Sequence, residues 1–462
     1  MDDNDQRAGH QAAVTYMNEP ELRHEAFGLL AGHGYSACAL RAHFESGALS
    51  VDTFTSALLE RIKRFEPVVQ AWEWIDEARA VTAARDGARR IAVGDARPLE
   101  GIPFGIKDVI ETDGIPTRMG SPLFADYVPT ASASVVRDLE SAGGIIFGKT
   151  VTTEFATQCP GKTRNPWNPA HTPGGSSSGS AAAVAAGFVP VAIGTQTRGS
   201  TIRPAAFCGV VGYKPTFGAV STAGIFPTSA TLDHVGFFAN SIEDISLMVS
   251  VCAPSVKAKV QADGVPPTLA FVASPYWHLA EPSQRRCIEA AIQRFTEAGA
   301  PVRSIDLPSD FERALDVTNT IQRFELYQLH GHNLEGWRSS ISPQFLEYME
   351  SGRRITEQQY RDALDYRGRL IALYDEIVAP YSAVLTAPAN GEAPVGITAT
   401  GDATFCAIWT LCGAPAIAIP AGFGQRHLPL GIQLVGHRHR DGELLATAHW
   451  CEKALKRWSR FA

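Results

Sequence analysis

The sequence predicts an α/β protein with a mixed, mostly parallel sheet that carries helices on both faces. Short apolar runs of strand length alternate with longer runs that have helical periodicity, from about residue 36 past Ser200. One such strand, Ile145–Lys149, is largely apolar, as strands covered on both faces are. With 462 residues, 45% of them hydrophobic, the chain can bury a sizeable core, and single large α/β domains reach this length.

The amino-terminal half is predicted to begin with an arm, residues 1–34, which we expect to be mobile or to dock elsewhere. The helix expected over Val51–Phe65 carries one apolar stripe, which favours a core-facing role. Other helices are expected over Ser36–Phe44, Trp74–Ala92 and Ser134–Ala142, and a strand is expected around Lys107.

Composition changes after Val251, although residues 35–462 as a whole are expected to form one domain. The region of about 255–400 is expected to be variable, rich in helices and placed over the functional site. Its predicted elements are a strand at Thr268–Val272, a helix at Ser283–Ala298, a helix-rich segment at 310–378 and a Pro- and Gly-rich loop at 380–399. Ala414–Pro420 and Leu430–Val435 are predicted to be closing strands.

Charge and hydropathy exclude several classes of protein. The net charge is −7 and the basic residues are scattered, which predicts no nucleic-acid partner. The sequence contains no run of about 18 apolar residues, so no membrane span is predicted. The first residues lack the features of a secretion signal, and a cytoplasmic location is therefore expected. The eight cysteines contain no CxxC pair and are expected to be reduced. No cluster has metal-ligand spacing, so neither a metal nor a cofactor is expected.

Two Gly- and Ser-rich turns lie within His171–Pro204, where the functional argument begins. The first, Gly174–Ser180, runs into Ala181–Ala186, whose small residues favour a helix. A strand expected over Val189–Ile193 leads to the second turn, Thr195–Ser200. The first turn alone is also consistent with a well-capped buried helix, and it matches neither the phosphate-binding loop nor the GxSxG elbow.

Ser200 is a candidate nucleophile because the second turn exposes it beside Gly199. Backbone N–H groups of residues 197–200 could line an oxyanion pocket. A serine hydroxyl needs a base, and no histidine lies in this turn; His171 and His234 are in loops. Cys159 is an alternative nucleophile, but no motif surrounds it.

Lys107 is the candidate base, and it lies inside an apolar strand pattern between Gly- and Pro-rich turns. Such a lysine lies either at a sheet edge or in the interior. Burial would lower its pKa from about 10.4, because it disfavours the ammonium form. A neutral lysine is a competent base, so higher activity is expected at alkaline pH.

Several motifs in order resemble the amidase signature family, over roughly residues 35–454. They are Gly105–Asp108, Pro173–Ser180, Gly194–Ser200, Ala205–Thr216, Leu232–Gly236 and Leu428–Gly436. The resemblance implies a large twisted sheet and a Ser–Ser–Lys triad. Ser200 would be the nucleophile, Ser176 the bridging serine after a cis peptide bond, and Lys107 the base. Spacing alone does not choose among Ser176, Ser177 and Ser178.

The oxyanion hole is expected at the backbone N–H groups of Thr197, Arg198 and Gly199 in the second turn. The family pattern differs from this chain at two nearby positions. It usually has Asp where this chain has Gln196, and Arg where it has Ile202. These two departures resemble the malonamidase-type subgroup. In that case Arg203 would offer its planar fork to a carboxylate or carbonyl of the substrate, or alternatively pair with a structural acid. Arg198 would narrow the pocket or face away from it.

The resemblance implies hydrolysis of a C–N bond in a small amide, with carbamates, ureas or aryl esters as further substrates. The expected partner is therefore a small amide or carbamate, with no nucleic acid and no membrane, and a homodimer is a further expectation. One alternative is the catalytic component of a tRNA-dependent amidotransferase, although Thr152–Gln158 departs from that subgroup's pattern. The other is a non-catalytic binding protein on the same scaffold.

Overall fold

The computed structural model describes residues 35–256 and 264–459, and the predicted arm at 1–34 lies outside these ranges. The described residues form a sheet of 11 strands flanked by helices, which confirms the predicted α/β class. The strands are β1 (Trp72–Ile75), β2 (Pro103–Lys107), β3 (Ile145–Thr150), β4 (Val191–Gln196), β5 (Val211–Lys214), β6 (His234–Ala239), β7 (Leu269–Val272), β8 (Val302–Ile305), β9 (Ala383–Thr386), β10 (Ala416–Phe423) and β11 (Pro429–Val435).

The sheet is mixed, and its strand order is β1-β3-β2-β4-β6-β5-β10-β11-β9-β7-β8. Parallel pairing joins β2 to β3 and β4, and β7 to β8 and β9. The other six pairings among the described strands are antiparallel. The expected predominance of parallel pairing is therefore wrong in this detail, because antiparallel pairs, several of them between strands far apart in the chain, fill the middle of the sheet.

The α-helices are α1 (Ala37–Glu45), α2 (Val51–Val69), α3 (Glu77–Ala92), α4 (Ser134–Ser141), α5 (Ser178–Ala185), α6 (Ile202–Cys208), α7 (Ile242–Cys252), α8 (Pro282–Glu297), α9 (Ala314–His330), α10 (Leu334–Trp337), α11 (Pro343–Arg353), α12 (Glu357–Val378), α13 (Thr404–Leu411) and α14 (Asp441–Ser459). Short 3-10 turns occur at Pro122–Phe124, Glu154–Ala156, Trp277–Leu279, Ser309–Arg313 and Gly331–Asn333. Local caps explain several starts: the side chains of Ser36, Ser50 and Asp76 accept hydrogen bonds from the first turns of α1, α2 and α3.

One predicted helix is divided between a strand and a shorter helix. The sequence predicts a helix over Trp74–Ala92, whereas Trp72–Ile75 forms β1 and the helix begins at Glu77. Antiparallel pairing with β3 holds β1 extended, and the cap at Asp76 then starts the helix. The predicted loop at 380–399 likewise contains β9, which pairs with β11 and β7.

One hydrophobic cluster runs through the described chain, with buried members from Ala37 to Leu455. The stripe predicted on the second helix, from Phe54 to Phe65, is buried in this cluster. Strands β2, β3 and β4 are buried along their whole length. Polar side chains at the ends of these strands therefore lie in a dry environment, which sets their chemistry.

Candidate active site

Lys107 ends β2, which lies between β3 and β4. Its side chain is fully buried, so the alternative of an edge lysine does not hold. The Lys107 Nζ atom lies 2.7 Å from the Ser176 Oγ atom and 2.7 Å from the Thr195 Oγ1 atom. Two strands and one turn thus bring the lysine and two hydroxyl groups together.

Burial lowers the pKa of Lys107 to about 7, and the negative charge of Asp233 opposes this only in part. The two hydrogen-bond partners of the Lys107 Nζ atom among the described residues are neutral hydroxyls, so neither compensates the charge of the ammonium form. In a large fraction of the protein molecules, Lys107 is therefore neutral near pH 7. A neutral amine at hydrogen-bond distance from Ser176 can accept the proton of that hydroxyl.

Ser176 lies in the turn before α5, and the peptide bond between Gly175 and Ser176 is cis. Its neighbours have other partners: the Ser177 Oγ atom donates to the Thr195 carbonyl at 3.1 Å, and the Ser178 Oγ atom donates to the Val151 carbonyl at 3.2 Å. Among these three serines, the lysine contacts Ser176. The geometry thus distinguishes residues that spacing left equivalent.

Ser200 lies in the second turn, between β4 and α6, and is half-buried. The backbone N–H of Ser177 donates to the carbonyl of Ser200 at 3.4 Å, so the two serine turns are adjacent. Gly194 permits this approach, because a Cβ built there would lie 2.6 Å from the Ser177 Oγ atom. The hydroxyls of residues 176 and 200 therefore belong to touching segments of backbone.

The backbone N–H groups of residues 197–200 donate to no other group in the described part of the chain. The turn is nevertheless held firmly. The Thr197 hydroxyl donates to the Asp233 carboxylate at 2.6 Å, and the Thr410 hydroxyl, on α13, donates to the Arg198 carbonyl at 2.7 Å. A fixed turn with unused donors can stabilise a negatively charged oxygen.

Gln196 shapes the same turn from its amino-terminal side. Its Oε1 atom accepts hydrogen bonds from the backbone N–H groups of Thr201 and Ile202, at 2.8 and 3.0 Å. Its Nε2 atom donates to the Thr410 hydroxyl at 2.9 Å. The glutamine thus satisfies two N–H groups at the start of α6, and this role needs no charged partner.

Arg203 is buried on α6, and its Nη2 atom donates to the Gly175 carbonyl at 2.6 Å and to the Thr400 hydroxyl at 3.1 Å. Its Nε atom is buried without a hydrogen-bond partner. Burial lowers the pKa of Arg203 to about 10. No carboxylate of the described residues lies within 4.0 Å of this guanidinium, so the expected alternative of a structural acid partner is not found there.

The other candidate groups have different roles. The His171 and His234 rings are bonded through Nδ1 to the carbonyls of Ala393 and Leu232, and burial lowers the pKa of His234. Burial raises the pKa of the Cys159 thiol, which disfavours the thiolate that a cysteine nucleophile needs. None of these three side chains hydrogen-bonds to Ser200 in the described ranges.

A metal could find three ligand atoms within 4.8 Å of one another at Glu243, His449 and Glu452, in the described part of the chain. These residues lie on α7 and α14, not on the elements that carry Lys107 and the two serines. No helix among the described residues is both long and apolar enough to span a membrane.

Sequence reasoning missed several residues that build the site. Thr195 and Asp233 lie inside quoted motifs, Gly194–Ser200 and Leu232–Gly236, so a signal for them was present. Asn319 on α9 and Thr410 on α13 also contact the turn at 197–200. Their sequence surroundings gave no signal, because tertiary packing brings those helices to the turn.

The family described as Amidase matches residues 53–445. The chain belongs to the amidase family. Among curated relatives, it is 33% identical to the A subunit of glutamyl-tRNA(Gln) amidotransferase from Symbiobacterium thermophilum, over 91% of this chain and 97% of the relative. The corresponding protein of Roseiflexus castenholzii is also 33% identical, over 86% and 91% of the two chains.

Solved structures agree with membership of the amidase family. A crystal structure described as that of an amidase is 30% identical, with a TM-score of 0.83 over 91% of this chain and 100% of that one. The glutamyl-tRNA(Gln) amidotransferase A subunit of Thermotoga maritima is 27% identical, with a TM-score of 0.73 over 86% and 90%. The peptide amidase of Stenotrophomonas maltophilia is 26% identical, with a TM-score of 0.78 over 91% and 97%.

These relatives correct one expectation of the sequence analysis. The sequence predicts a small amide or carbamate as the partner, no nucleic acid, and a homodimer. The curated relatives are instead named as subunits of an amidotransferase whose name includes a tRNA. The expected set of partners is therefore wrong. The error arises because scattered basic residues argue only against a basic patch on the chain itself.

Proposed function

We propose that this protein hydrolyses carboxamides through an acyl-enzyme on Ser200, with Ser176 and Lys107 as a proton relay. The observation that carries the proposal is the 2.7 Å distance between the Lys107 Nζ and Ser176 Oγ atoms in a fully buried setting. Membership of the amidase family supports the same chemistry. Burial alone does not indicate catalysis, because Lys214 is also buried with a pKa lowered to about 7. The contact between Lys107 and a serine hydroxyl is what favours catalysis over binding alone.

In this mechanism, neutral Lys107 accepts the proton of Ser176 while Ser176 accepts the proton of Ser200. The Ser200 oxygen attacks the amide carbon, and the carbonyl oxygen becomes an oxyanion beside the free N–H groups of residues 197–200. The relayed proton then passes to the leaving nitrogen as the C–N bond breaks. Water cleaves the resulting ester by the same relay, releasing a carboxylic acid and restoring both hydroxyls.

The first candidate for the substrate is the side-chain amide of glutamine, cleaved by this chain as the A subunit of a tRNA-dependent amidotransferase. Its support is the 33% identity to such proteins over nearly their full length. In this assignment the ammonia released would be used by the rest of the assembly, and the tRNA would be bound outside the site described here.

The second candidate is a free-standing amide hydrolase, and a specific observation favours it. The structure described as that of an amidase matches with a TM-score of 0.83 over its whole length, compared with 0.73 for the Thermotoga maritima protein. A malonamidase-like specificity, with carbamates, ureas and aryl esters as further substrates, belongs to this candidate. Its support is that Gln196 replaces a charged residue and that Arg203 lacks an acid partner among the described residues.

Labelling with a fluorophosphonate probe tests the chemistry. We expect one label, on the peptide that contains Ser200, and none in a Ser200→Ala variant. A Ser176→Ala variant should lose about 10²–10⁴-fold in kcat/KM, the usual contribution of a positioned proton-transfer group. Ser178→Ala, whose hydroxyl contacts only backbone, is the matched control. Equal losses in both variants would contradict the relay.

Glutamine turnover separates the two candidates. If the chain is part of an amidotransferase, it should co-purify with the remaining subunits and release ammonia from glutamine faster when they and glutamyl-tRNA are present. As a free-standing hydrolase, it should turn over simple amides alone at an undiminished rate. Activity on simple amides that no partner changes would reject the first candidate.

A further inference from the structure

Arg198 lies two residues before Ser200, in the turn that carries the unused N–H groups. Its side chain is half-buried, and its Nη1 atom donates to the Asn319 Oδ1 atom on α9 at 3.0 Å. Its carbonyl is held separately by Thr410. The guanidinium thus reaches across from the reactive turn to the helix-rich region.

The Arg198 guanidinium has no carboxylate of the described residues within 4.0 Å. Its hydrogen-bonded partner in that part of the chain is a neutral amide, which leaves most of its five N–H donors unused. A purely structural contact with Asn319 would not require the arginine to lie next to the proposed nucleophile. Here it is placed within two residues of the proposed nucleophile.

Arg203 is a second cation without an acid partner among the described residues on the same segment of chain, and it is buried. After burial, the positive charge of Arg198 is among the influences that lower the Arg203 pKa. The two charges therefore act on one another. Asp402 acts in the opposite direction, but its carboxylate accepts hydrogen bonds from the backbone and hydroxyl of Thr404.

Two positive groups that lack a counter-charge in the described protein leave part of the cost of desolvation uncompensated. A carboxylate on a bound molecule would supply that counter-charge, and guanidinium groups bind carboxylates with paired, charge-assisted hydrogen bonds. A neutral amide of the same length would not supply a counter-charge to either arginine.

We propose that Arg198 binds a carboxylate of the substrate, so that this site selects amides carrying a negative charge over neutral ones. The inference rests on the proposed function, since it concerns the substrate of the same site. It applies to both candidates there, because glutamine and the mono-amides of dicarboxylic acids each carry a carboxylate. Arg198 thereby becomes a specificity-determining residue, through its side chain, in addition to its backbone N–H.

The test compares kcat/KM for the mono-amides of malonic, succinic and glutaric acid with kcat/KM for neutral amides of matching length. The wild-type protein should prefer the charged member of at least one pair. In Arg198→Gln this preference should fall by about 10–100-fold, the range for a lost hydrogen bond to a charged group. Arg198→Lys keeps the positive charge but loses the planar guanidinium, so its preference for the charged amide should lie between those of wild type and Arg198→Gln.

Asn319→Ala is the matched control, because it removes the tie between α9 and the turn while the guanidinium remains. We expect this variant to keep the preference for the charged amide within about threefold, at the low end of what the loss of one ordinary hydrogen bond would give. If Arg198 only ties the helix to the turn, Asn319→Ala and Arg198→Gln will change the preference equally. That result, or a wild-type protein with no preference, overturns the inference.

A binding experiment separates failure of this inference from failure of the proposed function. Calorimetric titration of the Ser200→Ala protein with succinate and glutarate needs no turnover. Binding that weakens at least about tenfold in a Ser200→Ala, Arg198→Gln double variant supports the carboxylate site, even if no amide is hydrolysed. Equal binding in both proteins rejects it, even if the amidase chemistry is sound.

Discussion

At the scale of single residues, the environment of Lys107 is the feature with the clearest consequence. Lys107, Lys149 and Lys214 are all fully buried, and burial lowers the pKa of each, to about 7, 8 and 7. Lys149 lies 3.3 Å from the Asp108 carboxylate, and Lys214 donates to backbone carbonyls. Of these three lysines, only Lys107 contacts a serine hydroxyl. All three are buried, but only Lys107 is placed to accept a proton from a serine.

We predict that kcat/KM for an amide rises with pH through about 7 and then levels off. The sign follows from the role of Lys107, because its neutral form is the base and its population grows as pH passes the lowered pKa. The Lys107→Met variant should lose about 10³-fold or more, since both proton transfers depend on it. The measurement is a pH profile of kcat/KM on one amide.

Lys214→Met is the matched control for this profile, because Lys214 has a similar pKa and the same burial but no serine partner. The folded fraction of Lys214→Met should keep the wild-type dependence on pH. A profile that falls from mildly acid to mildly alkaline pH in wild type would contradict Lys107 as the base.

The sequence identifies Lys107, Ser176 and Ser200 as candidates, but it cannot establish their proximity. The apolar pattern around Lys107 is compatible with an edge strand or an interior strand, and only the neighbours β3 and β4 decide between them. The bridging serine is similarly ambiguous, because residues 176–178 differ in their partners rather than in their local sequence.

At the scale of elements, the turn at 197–200 is held from several sides. Asp233 holds Thr197, Asn319 on α9 holds the Arg198 side chain, and Thr410 on α13 holds the Arg198 carbonyl. Gly199 packs where a Cβ would lie 3.1 Å from the Cys406 side chain. Such contacts hold the turn in place while its N–H groups remain unused.

We predict that Gln196→Ala lowers the thermal midpoint and kcat together. It leaves the N–H groups of Thr201 and Ile202 without their acceptor, and each unsatisfied buried donor costs about 1–3 kcal/mol. Gln196→Glu, which keeps two acceptor oxygens at the start of α6, should lose less stability. Thermal unfolding and kcat are measured on both, and equal destabilisation would contradict this account of the cap.

The sequence is informative about helices and less so about short strands. Predicted helices near residues 36–44, 51–65, 134–142 and 283–298 correspond to α1, α2, α4 and α8, with ends that differ by a few residues. By contrast, β1 falls within a predicted helix and β9 within a predicted loop. Both are strands of four residues, and pairing with distant neighbours rather than local propensity holds them extended.

At the scale of the whole molecule, the sequence predicts the α/β class and a mixed sheet, but not its strand order. The antiparallel block of β4, β6, β5, β10, β11 and β9 joins residues that are far apart in the chain. Composition and periodicity contain no information about such partners, since register depends on which surfaces meet in the folded state. The resemblance offers a tRNA-dependent amidotransferase as an alternative, and the curated relatives favour it, but composition and periodicity do not choose it over a free-standing hydrolase.

We predict that thermal stability rises between about pH 7 and about pH 8, below the pKa of about 8.5 at which cysteines of the unfolded chain ionise and act in the opposite direction. In the unfolded chain the lysines keep their protons to about pH 10.5, whereas in the folded chain Lys107 and Lys214 release theirs near 7. The unfolded state therefore binds more protons in this window, and the free energy of unfolding increases with pH.

Each buried lysine contributes up to about 1.4 kcal/mol per pH unit to this rise. The measurement is the midpoint of thermal unfolding across the window, for wild type and for Lys214→Met, which should show a shallower rise. A midpoint that is flat or falls with increasing pH would show that these lysines stay charged in the folded protein.

The position of β10 and β11 has a consequence for how this protein is made. This hairpin joins β5 on one side to β9 on the other, although β5 leaves the ribosome long before it. A nascent chain that has reached residue 256 already contains Lys107, Ser176 and Ser200, but the edge of β5 still lacks its neighbour. An open strand edge of this kind can pair with other chains, so we expect the nascent chain to be most prone to aggregation before the hairpin emerges.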